Sequence, residues 1–458
     1  MFYYSYVGRY MESKKFFDKK RWTILLIFGI VGQIAWSVEN MYFNLFVYDT
    51  VAPDLNAITL MVQLSGVMAT VATLFAGVLS DKLGNRRAFI SYGYAIWGVT
   101  VALFGCLSPS LISAIFGVES AEAVRLTLVT VIVGDCVMTL FGSAANDAAF
   151  NAWVTDNTEQ SYRGRIESVI SILPLLAMLL VAGGFGIIVE IIGYKALFIA
   201  LGTVISLCGI FGIFFVRDSE KTERSGRLGD IFYGFYPKVI KSNVPLYLTL
   251  IVVCVYGIAC QVFMPYLIIY MKTYLYFSVV EYSVVFGLAI LLGAGCNLYL
   301  GKLSDKMDKL KLLYFAAGIM AAGLFGMYLS PTQNKTASLI VFGIFGFVMI
   351  TGYIFISALT GSTVRDYTPE GAVGKLQGVR MVFSVLIPML AGPAIGNAIN
   401  ESAGLKLENA GADAMTTAYI PAPEIFLAGA IITLFILALV PLLIRFASAG
   451  VKKEDKIG

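Results

Sequence analysis

Three carboxylates lie inside long apolar stretches of this chain. Glu39, Asp135 and Asp147 have no lysine or arginine in the middle of the same stretches. A charged side chain at the bilayer centre costs at least ~2.5–3.5 kcal/mol on insertion scales, so such residues usually face a cavity and serve a function. Burial disfavours the ionised carboxylate, which can then exchange a proton near neutral pH, and carboxylate and amide oxygens can also ligate a cation. We interpret the three acids as candidate proton or cation sites, with a structural helix–helix hydrogen bond as the alternative for each.

The spacing of two of these acids leaves their relative direction open. Asp135 and Asp147 are twelve residues apart on one apolar stretch. In a regular α-helix this spacing corresponds to about 120° around the axis. The two carboxylates therefore need not face the same cavity.

Amide and aromatic side chains in the apolar stretches supply hydrogen-bonding and stacking groups for a polar solute. Asn40 and Asn44 have the i, i+4 spacing that places two residues on one face of a helix, and Trp36 is one turn before Asn40. For the amides, helix packing remains an equal alternative, and most aromatic residues of such a chain belong to its core or to the membrane interface. The candidate solute-binding residues are Trp36, Asn40, Asn44, Asn146, Asn151, Gln261, Asn297 and Tyr353.

The composition requires a membrane environment for these residues. The chain has 458 residues, of which 58% are hydrophobic and 14% are charged, whereas about a quarter of the residues of a soluble domain are charged. A membrane-spanning helix needs ~20 mostly apolar residues, and twelve stretches meet that length. We predict an all-α polytopic membrane protein with helices 1 to 12 at 22–48, 56–79, 88–106, 124–152, 166–190, 194–216, 244–272, 279–300, 312–329, 338–361, 379–399 and 424–446.

The basic residues predict the orientation of the helices. Cytoplasmic loops of membrane proteins are enriched in lysine and arginine. With the N-terminus in the cytoplasm, 28 basic residues fall on the inner side and 5 on the outer side. We therefore expect a multi-pass protein of the cell (plasma or inner) membrane with both termini cytoplasmic.

Two internal echoes divide the chain into related halves. Gly-x-Leu-Ser-Asp-Lys occurs at 77–82 and again 224 positions later at 301–306, and the loops after helices 4 and 10 resemble each other at an offset of 210. Such spacing indicates a duplicated unit. We predict a cytoplasmic segment 1–21, a six-helix bundle 22–216, a cytoplasmic central loop 217–243, a second six-helix bundle 244–446 and a cytoplasmic tail 447–458.

Several functional classes are excluded or disfavoured. The chain has no histidine, which excludes histidine metal sites and Ser-His catalysis, and none of its six cysteines has metal-ligand spacing. No Gly-x-x-x-x-Gly-Lys-[Ser/Thr] loop is present, so an ATP-driven pump is excluded. The first apolar stretch is too long for a signal-peptide core and is expected to remain as an anchor. We find no paired catalytic groups, and no enzyme is expected.

The stretch Gly-Val-Leu-Ser-Asp-Lys-Leu-Gly-Asn-Arg-Arg at 77–87 resembles the loop 2–3 signature of the major facilitator superfamily. This resemblance implies two pseudo-symmetric six-helix bundles around a central site. The chain is also similar to the glycoside–pentoside–hexuronide:cation symporters, in the Tyr48-Asp49-Thr50-Val51 ending of helix 1, the position of Asp147 and the loop endings Arg-Gly-Arg and Gly-Lys-Leu-Gln-Gly. Sodium-coupled members of that group carry acids within helix 2, and none occurs at 56–79, which favours proton coupling.

The resemblance also implies a gate at the cytoplasmic end. Asp81 is expected to face the positive N-terminal end of helix 11, and Arg86 and Arg87 to hold the loop acid or inner phospholipid. Gly77 and Gly84 would permit close helix approach and a tight turn. The alternative is that this loop only fixes the membrane topology.

Two further residues extend this predicted gate. Asp305 is expected to repeat the role of the first loop acid against helix 5, near Glu167. Arg380, in the first turn of helix 11, either extends to the inner interface or binds a carboxylate of the gate.

Together these features predict a secondary active transporter. The expected substrate is a small polar solute, a sugar or glycoside, moved by alternating access and coupled to H⁺ or Na⁺. A proton-coupled drug or metabolite exporter is the first alternative, and a transporter-like membrane receptor is the second. No cofactor, structural metal or nucleic-acid partner is expected; membrane lipid is, and the protein should be monomeric.

Overall fold

The computed structural model describes residues 19–158, 163–219, 228–304, 307–331, 333–369, 373–406 and 419–454. These residues are almost entirely helical, and the one β-bridge among them joins Lys406 and Tyr419. Helices 1 to 12 extend over Lys19–Val51, Leu55–Leu83, Arg86–Phe104, Ser120–Asp156, 163–192, 194–215, Val244–Thr273, Val279–Ser304, Lys309–Tyr328, Lys335–Tyr367, 373–403 and Glu424–Glu454. The predicted all-α membrane architecture is therefore confirmed.

Eleven stretches of the described residues are long and apolar enough to cross a membrane. One of them, Val169–Phe215, has 47 residues. At 1.5 Å per residue it would be about 70 Å long, more than twice the ~30 Å of a bilayer core. The stretch breaks at Gly193, whose φ of 78° is non-helical, and this break separates helices 5 and 6.

The turn between helices 2 and 3 follows directly from its residues. Gly84 ends helix 2 with a φ of 61°, a left-handed conformation that glycine adopts without a steric penalty. The next residue, Asn85, caps helix 3 by accepting a hydrogen bond from the Ala88 amide. The tight turn predicted at Gly84 is thus present.

Helices 3 and 6 pack through small residues. A Cβ atom on Gly98 would lie 2.3 Å from the carbonyl oxygen of Gly202, so the two backbones are in direct contact. Small residues permit such close approach between helices in a membrane. Helices 1 to 6 form one group and helices 7 to 12 another, and the groups meet along helices 2 and 11 and helices 5 and 8.

The first half contains one short helix, outside its six spanning helices, that was not predicted. Pro109–Phe116 forms a short helix between helices 3 and 4, capped by the Ser108 side chain. Its Ile115 and Phe116 side chains are exposed. The segment is too short to cross a bilayer, so the length criterion applied to the sequence missed it.

Candidate transport site

The deepest polar group of the first half joins helices 1, 2 and 4. Glu39 Oε1 accepts hydrogen bonds from the hydroxyls of Thr139, at 3.0 Å, and Ser65, at 3.3 Å. These two hydroxyl oxygens are 2.6 Å apart. Asp135 lies one turn before Thr139 on helix 4, is 2% exposed, and also contacts Ser65. We call Glu39, Ser65, Asp135 and Thr139 the Glu39 cluster.

Two carboxylate oxygens of the Glu39 cluster lack donors. Glu39 Oε2 and Asp135 Oδ1 are buried and accept no hydrogen bond from the described residues. Neither carboxylate belongs to an ion pair seen in the described part of the chain. Leaving one buried oxygen of each charged carboxylate without a donor is costly, so this site is suited to a bound proton or monovalent cation.

Asp147, like Glu39, is partly exposed, whereas Asp135 is buried. Its Oδ1 accepts a hydrogen bond from Asn146 Nδ2 at 3.0 Å. The Trp36 indole lies beside it, and the exposed Asn151 follows one turn later, bonded through its Nδ2 to the Asp147 carbonyl oxygen at 3.1 Å. Asp147 thus joins an aromatic ring and an accessible amide, a combination suited to a polar solute.

A π-helical segment brings Asp135 and Asp147 towards one side of helix 4. Ser143–Phe150 is π-helical, and a π turn takes up about one extra residue. Asp147 lies in the middle of this segment, so about half of the ~100° for that residue applies before it, which leaves about 70° of the 120° of a regular helix. Both interact electrostatically with Glu39. The angle between the two acids is therefore smaller than in a regular helix, and whether they face one cavity stays a prediction.

Asn146 is a positioning residue in this conformation. It is 3% exposed, and its Oδ1 lies 2.8 Å from the hydroxyl of Tyr94, which also lies 2.9 Å from the Phe28 carbonyl oxygen. Asn146 therefore links Tyr94 to Asp147. Trp36 packs on Trp97 with ring centroids 5.0 Å apart, which fixes its position beside the carboxylate.

Asn40 and Asn44 differ in burial. Asn40 is exposed, and its Nδ2 donates to the Trp36 carbonyl oxygen at 2.8 Å. Asn44 is 2% exposed and bonds the Asn40 carbonyl oxygen at 3.1 Å. Asn40 lies inside the π-helical segment Glu39–Phe43, and Asn44 follows that segment directly.

The second half contributes tyrosines from helices 7 and 10. Tyr353 packs against Tyr256 with ring centroids 5.5 Å apart, and the Tyr256 hydroxyl donates to the Tyr353 carbonyl oxygen at 3.2 Å. Ser357, one turn beyond Tyr353, is exposed. Tyr256 was not among the residues selected from the sequence, because one more tyrosine in an aromatic-rich helix carries no distinctive signal.

The remaining two predicted amides lie in helix contacts. Asn297 Nδ2 donates to the carbonyl oxygens of Gly293, at 2.9 Å, and Thr351, at 3.1 Å, so it joins helix 8 to helix 10. Gln261 is partly buried, with its Cβ against Gly392 of helix 11. In this conformation both amides contribute to helix packing.

A polar contact between the halves lies at the end where helix 1 finishes. Lys272 Nζ of helix 7 lies 2.6 and 2.7 Å from the two carboxylate oxygens of Asp49, and the Tyr194 hydroxyl donates to Asp49 Oδ2 at 2.8 Å. We call this end the Asp49 end. Further bonds join the halves towards it: Tyr48 to Tyr419, Asn56 to Asn397, Thr59 to Tyr266 and Gln63 to Leu390.

The sequence contained a signal for this pair. Asp49 and Lys272 are 223 positions apart, one less than the 224 that separates the two loop motifs. They therefore occupy almost equivalent positions in the two halves. Equivalent positions close to a pseudo-two-fold axis face each other, so an acid and a base there can pair.

The sequence profile of the Major Facilitator Superfamily matches residues 25–392. The chain belongs to this superfamily. Among curated protein sequences none matches it significantly. Solved structures of transporters with this fold do resemble it.

A mutant of the nucleoside transporter NupG matches with a TM-score of 0.67 and 10% identity over 92% of this chain and 99% of that one. A bacterial homologue of the human lysosomal transporter Spinster, inward-facing and unoccupied, matches with a TM-score of 0.67 and 14% identity. The match covers 93% of this chain and 98% of that one. A bacterial homologue of the iron transporter ferroportin, outward-facing with soaked iron, matches with a TM-score of 0.61 and 14% identity. The match covers 93% of this chain and 99% of that one. At these identities the likeness establishes the fold alone.

In this member of the superfamily, the loop 2–3 signature binds within its own half. Arg86, 6% exposed, pairs with Asp81, lies 3.2 Å from Asp156 Oδ2 and donates to Ser80 Oγ at 2.5 Å. Arg86 was expected to hold the loop acid, and it pairs with Asp81. The further expectation, that Asp81 faces the N-terminal end of helix 11, stays a prediction. The backbone amide of Arg87 donates to Asp218 at 2.9 Å, beyond helix 6.

Three other predicted gate residues have different outcomes. A Cβ on Gly77 would meet no atom within 4 Å, so the close approach expected there is absent from this conformation. Arg380 is exposed in the early part of helix 11. Asp305 lies outside the described residues, and its predicted contact near Glu167 stays a prediction.

Proposed function

We propose that this superfamily member is a secondary active transporter that moves a small polar solute, a sugar or glycoside, by alternating access coupled to H⁺ or Na⁺. The observation that carries the proposal is the Glu39 cluster. Two carboxylates are buried beside two hydroxyls, and two carboxylate oxygens have no donor among the described residues. Binding one cation relieves this unfavourable arrangement, so an ion gradient can act on it.

The solute would bind next to the ion. Asp147 interacts electrostatically with Glu39 and adjoins Trp36 and the exposed Asn151. Sugars are bound by polar groups beside an aromatic ring, and these residues supply both. Because one helix carries Asp135 and Asp147, a change at the ion site can be transmitted to the solute site over a short distance.

We further propose that the conformation described is open towards the cytoplasm. The halves are joined at the Asp49 end, and the excess of lysine and arginine places the opposite end inside the cell. Asn151 and Ser357, on helices 4 and 10, are exposed towards that opposite end. Labelling of single cysteines placed in the central loop would test the orientation.

Vesicle reconstitution tests the function directly. The protein is assayed with a panel of sugars, with a proton gradient, a sodium gradient or neither, and then as Glu39→Gln, Asp135→Asn and Asp147→Asn. We expect at least one variant at the Glu39 cluster to lose gradient-driven accumulation while retaining exchange, because exchange needs no net movement of the coupling ion. Asp147→Asn should weaken both gradient-driven accumulation and exchange, because it alters solute binding.

Glu119→Gln is the matched control, since Glu119 is an exposed acid outside the cluster. The proposal is wrong if all three variants accumulate solute as the unaltered protein does. Gradient-driven efflux without uptake would instead support the exporter alternative.

A further inference from the structure

The segment between the two halves has one face docked on the protein. Leu228–Phe235 is a 3₁₀ helix and Pro237–Ser242 a short α-helix. The Gly234 carbonyl oxygen accepts a hydrogen bond from Tyr247 of helix 7. A Cβ on Gly234 would lie 2.9 Å from Val379 of helix 11. The 3₁₀ helix also contacts helix 2, so this segment touches both halves.

The opposite face of the 3₁₀ helix is aromatic and exposed. Phe232 is 62% exposed and Phe235 is 40% exposed. Residues three apart in a 3₁₀ helix lie one above the other, so the two rings form a single stripe. Tyr236, which follows, is also exposed. The 3₁₀ helix that carries the stripe lies beside the first turns of helices 7 and 11, where two candidate membrane spans begin.

Two exposed lysines follow the aromatic stripe along the chain. Lys238 and Lys241 have i, i+3 spacing on Pro237–Ser242, which places them on one face, and both are exposed. Asp230 is the single acid between Leu228 and Ser242. Phenylalanine and tyrosine beside lysine are typical of a surface that lies in the membrane interface, where the rings enter the apolar layer and the ammonium groups meet anionic headgroups.

We propose that Phe232, Phe235, Lys238 and Lys241 form a binding site for an anionic phospholipid. The two rings contact its glycerol and upper acyl region, and the two ammonium groups bind its phosphate. Charge complementarity selects an anionic lipid over a zwitterionic one. Because the segment is docked on helix 11 and contacts helix 2, the bound lipid holds the linker against helices of both halves. Transport should therefore depend on the anionic lipid content of the membrane.

Native mass spectrometry of the full chain in detergent tests the site. Phosphatidylglycerol and phosphatidylcholine are titrated separately, and the apparent dissociation constant of each is measured. Each lysine near an anionic surface contributes roughly a fivefold gain in affinity, so Lys238→Gln with Lys241→Gln should weaken phosphatidylglycerol binding by up to about 25-fold. Phosphatidylcholine binding should be unchanged. Lys195→Gln with Lys406→Gln, exposed lysines at the Asp49 end, is the matched control.

The aromatic stripe is tested separately. Phe232→Ser with Phe235→Ser should weaken the binding of both lipids without changing the preference for phosphatidylglycerol. Equal losses in the two lysine double variants would overturn the proposal, as would competition by inorganic phosphate alone, which would indicate a simple anion site. Neither readout requires transport, so a failure here is distinct from a failure of the proposed function.

Discussion

The ion pair between Asp49 and Lys272 should control the closure of the Asp49 end. Asp49→Asn removes one charge and leaves a side chain of nearly the same shape. The side chains of Asp49 and Lys272 are 19% and 40% exposed, so the pair is only partly desolvated. Exposed pairs contribute ~0–1 kcal/mol, and the two-oxygen geometry with the added Tyr194 bond raises this to about 1–2 kcal/mol. The population open at this end should increase about 5–30-fold.

Distances between spin labels across the Asp49 end measure that population. Labels are attached at Ala114→Cys in the first half and Ser402→Cys in the second, after the six native cysteines are replaced. Asp49→Asn and Lys272→Gln should each increase the share of long distances. Asp49→Lys combined with Lys272→Asp restores opposite charges and should return the distribution towards that of the unaltered protein.

A second ion pair provides the control. Lys335 lies 2.8 Å from Glu281 Oε2, and both residues belong to the second half. Lys335→Gln should leave the distance between the halves unchanged. The reasoning is refuted if this control moves the labels as far as Asp49→Asn does, or if neither single variant at the cross-half pair moves them.

Two further predictions concern stability, measured as thermal unfolding in detergent. Arg86→Gln removes the partner of two partly exposed acids, Asp81 and Asp156, and should cost ~1.5–3 kcal/mol. Arg87→Gln removes one exposed bond to the Ile213 carbonyl oxygen and should cost less; equal melting temperatures for the two would contradict this. Gly98→Ala forces a methyl group against the Gly202 backbone and should cost ~1–3 kcal/mol. Gly77→Ala, whose Cβ meets open space, should be tolerated, and a similar loss in both glycine variants would show that the packing argument fails.

The fold class and the order of the helices could be predicted from the residues alone. Apolar stretches of spanning length can be satisfied only by helices in a bilayer, so the twelve helices were predictable. The turn at Gly84 and Asn85 was also predictable, because its conformation depends on the two residues themselves. The motif repeated at an offset of 224 indicated two related halves.

Which side chains contact each other depends on the tertiary structure. Sequence spacing gives angles only for a regular helix, and π-helical segments in helices 1 and 4 change those angles. In helix 4 the π-helical segment reduces the angle between Asp135 and Asp147. Pairing between distant helices, such as Asp49 with Lys272, depends on how two halves pack. The repeat offset indicates that the two residues occupy equivalent positions, but whether they meet depends on the packing of whole surfaces.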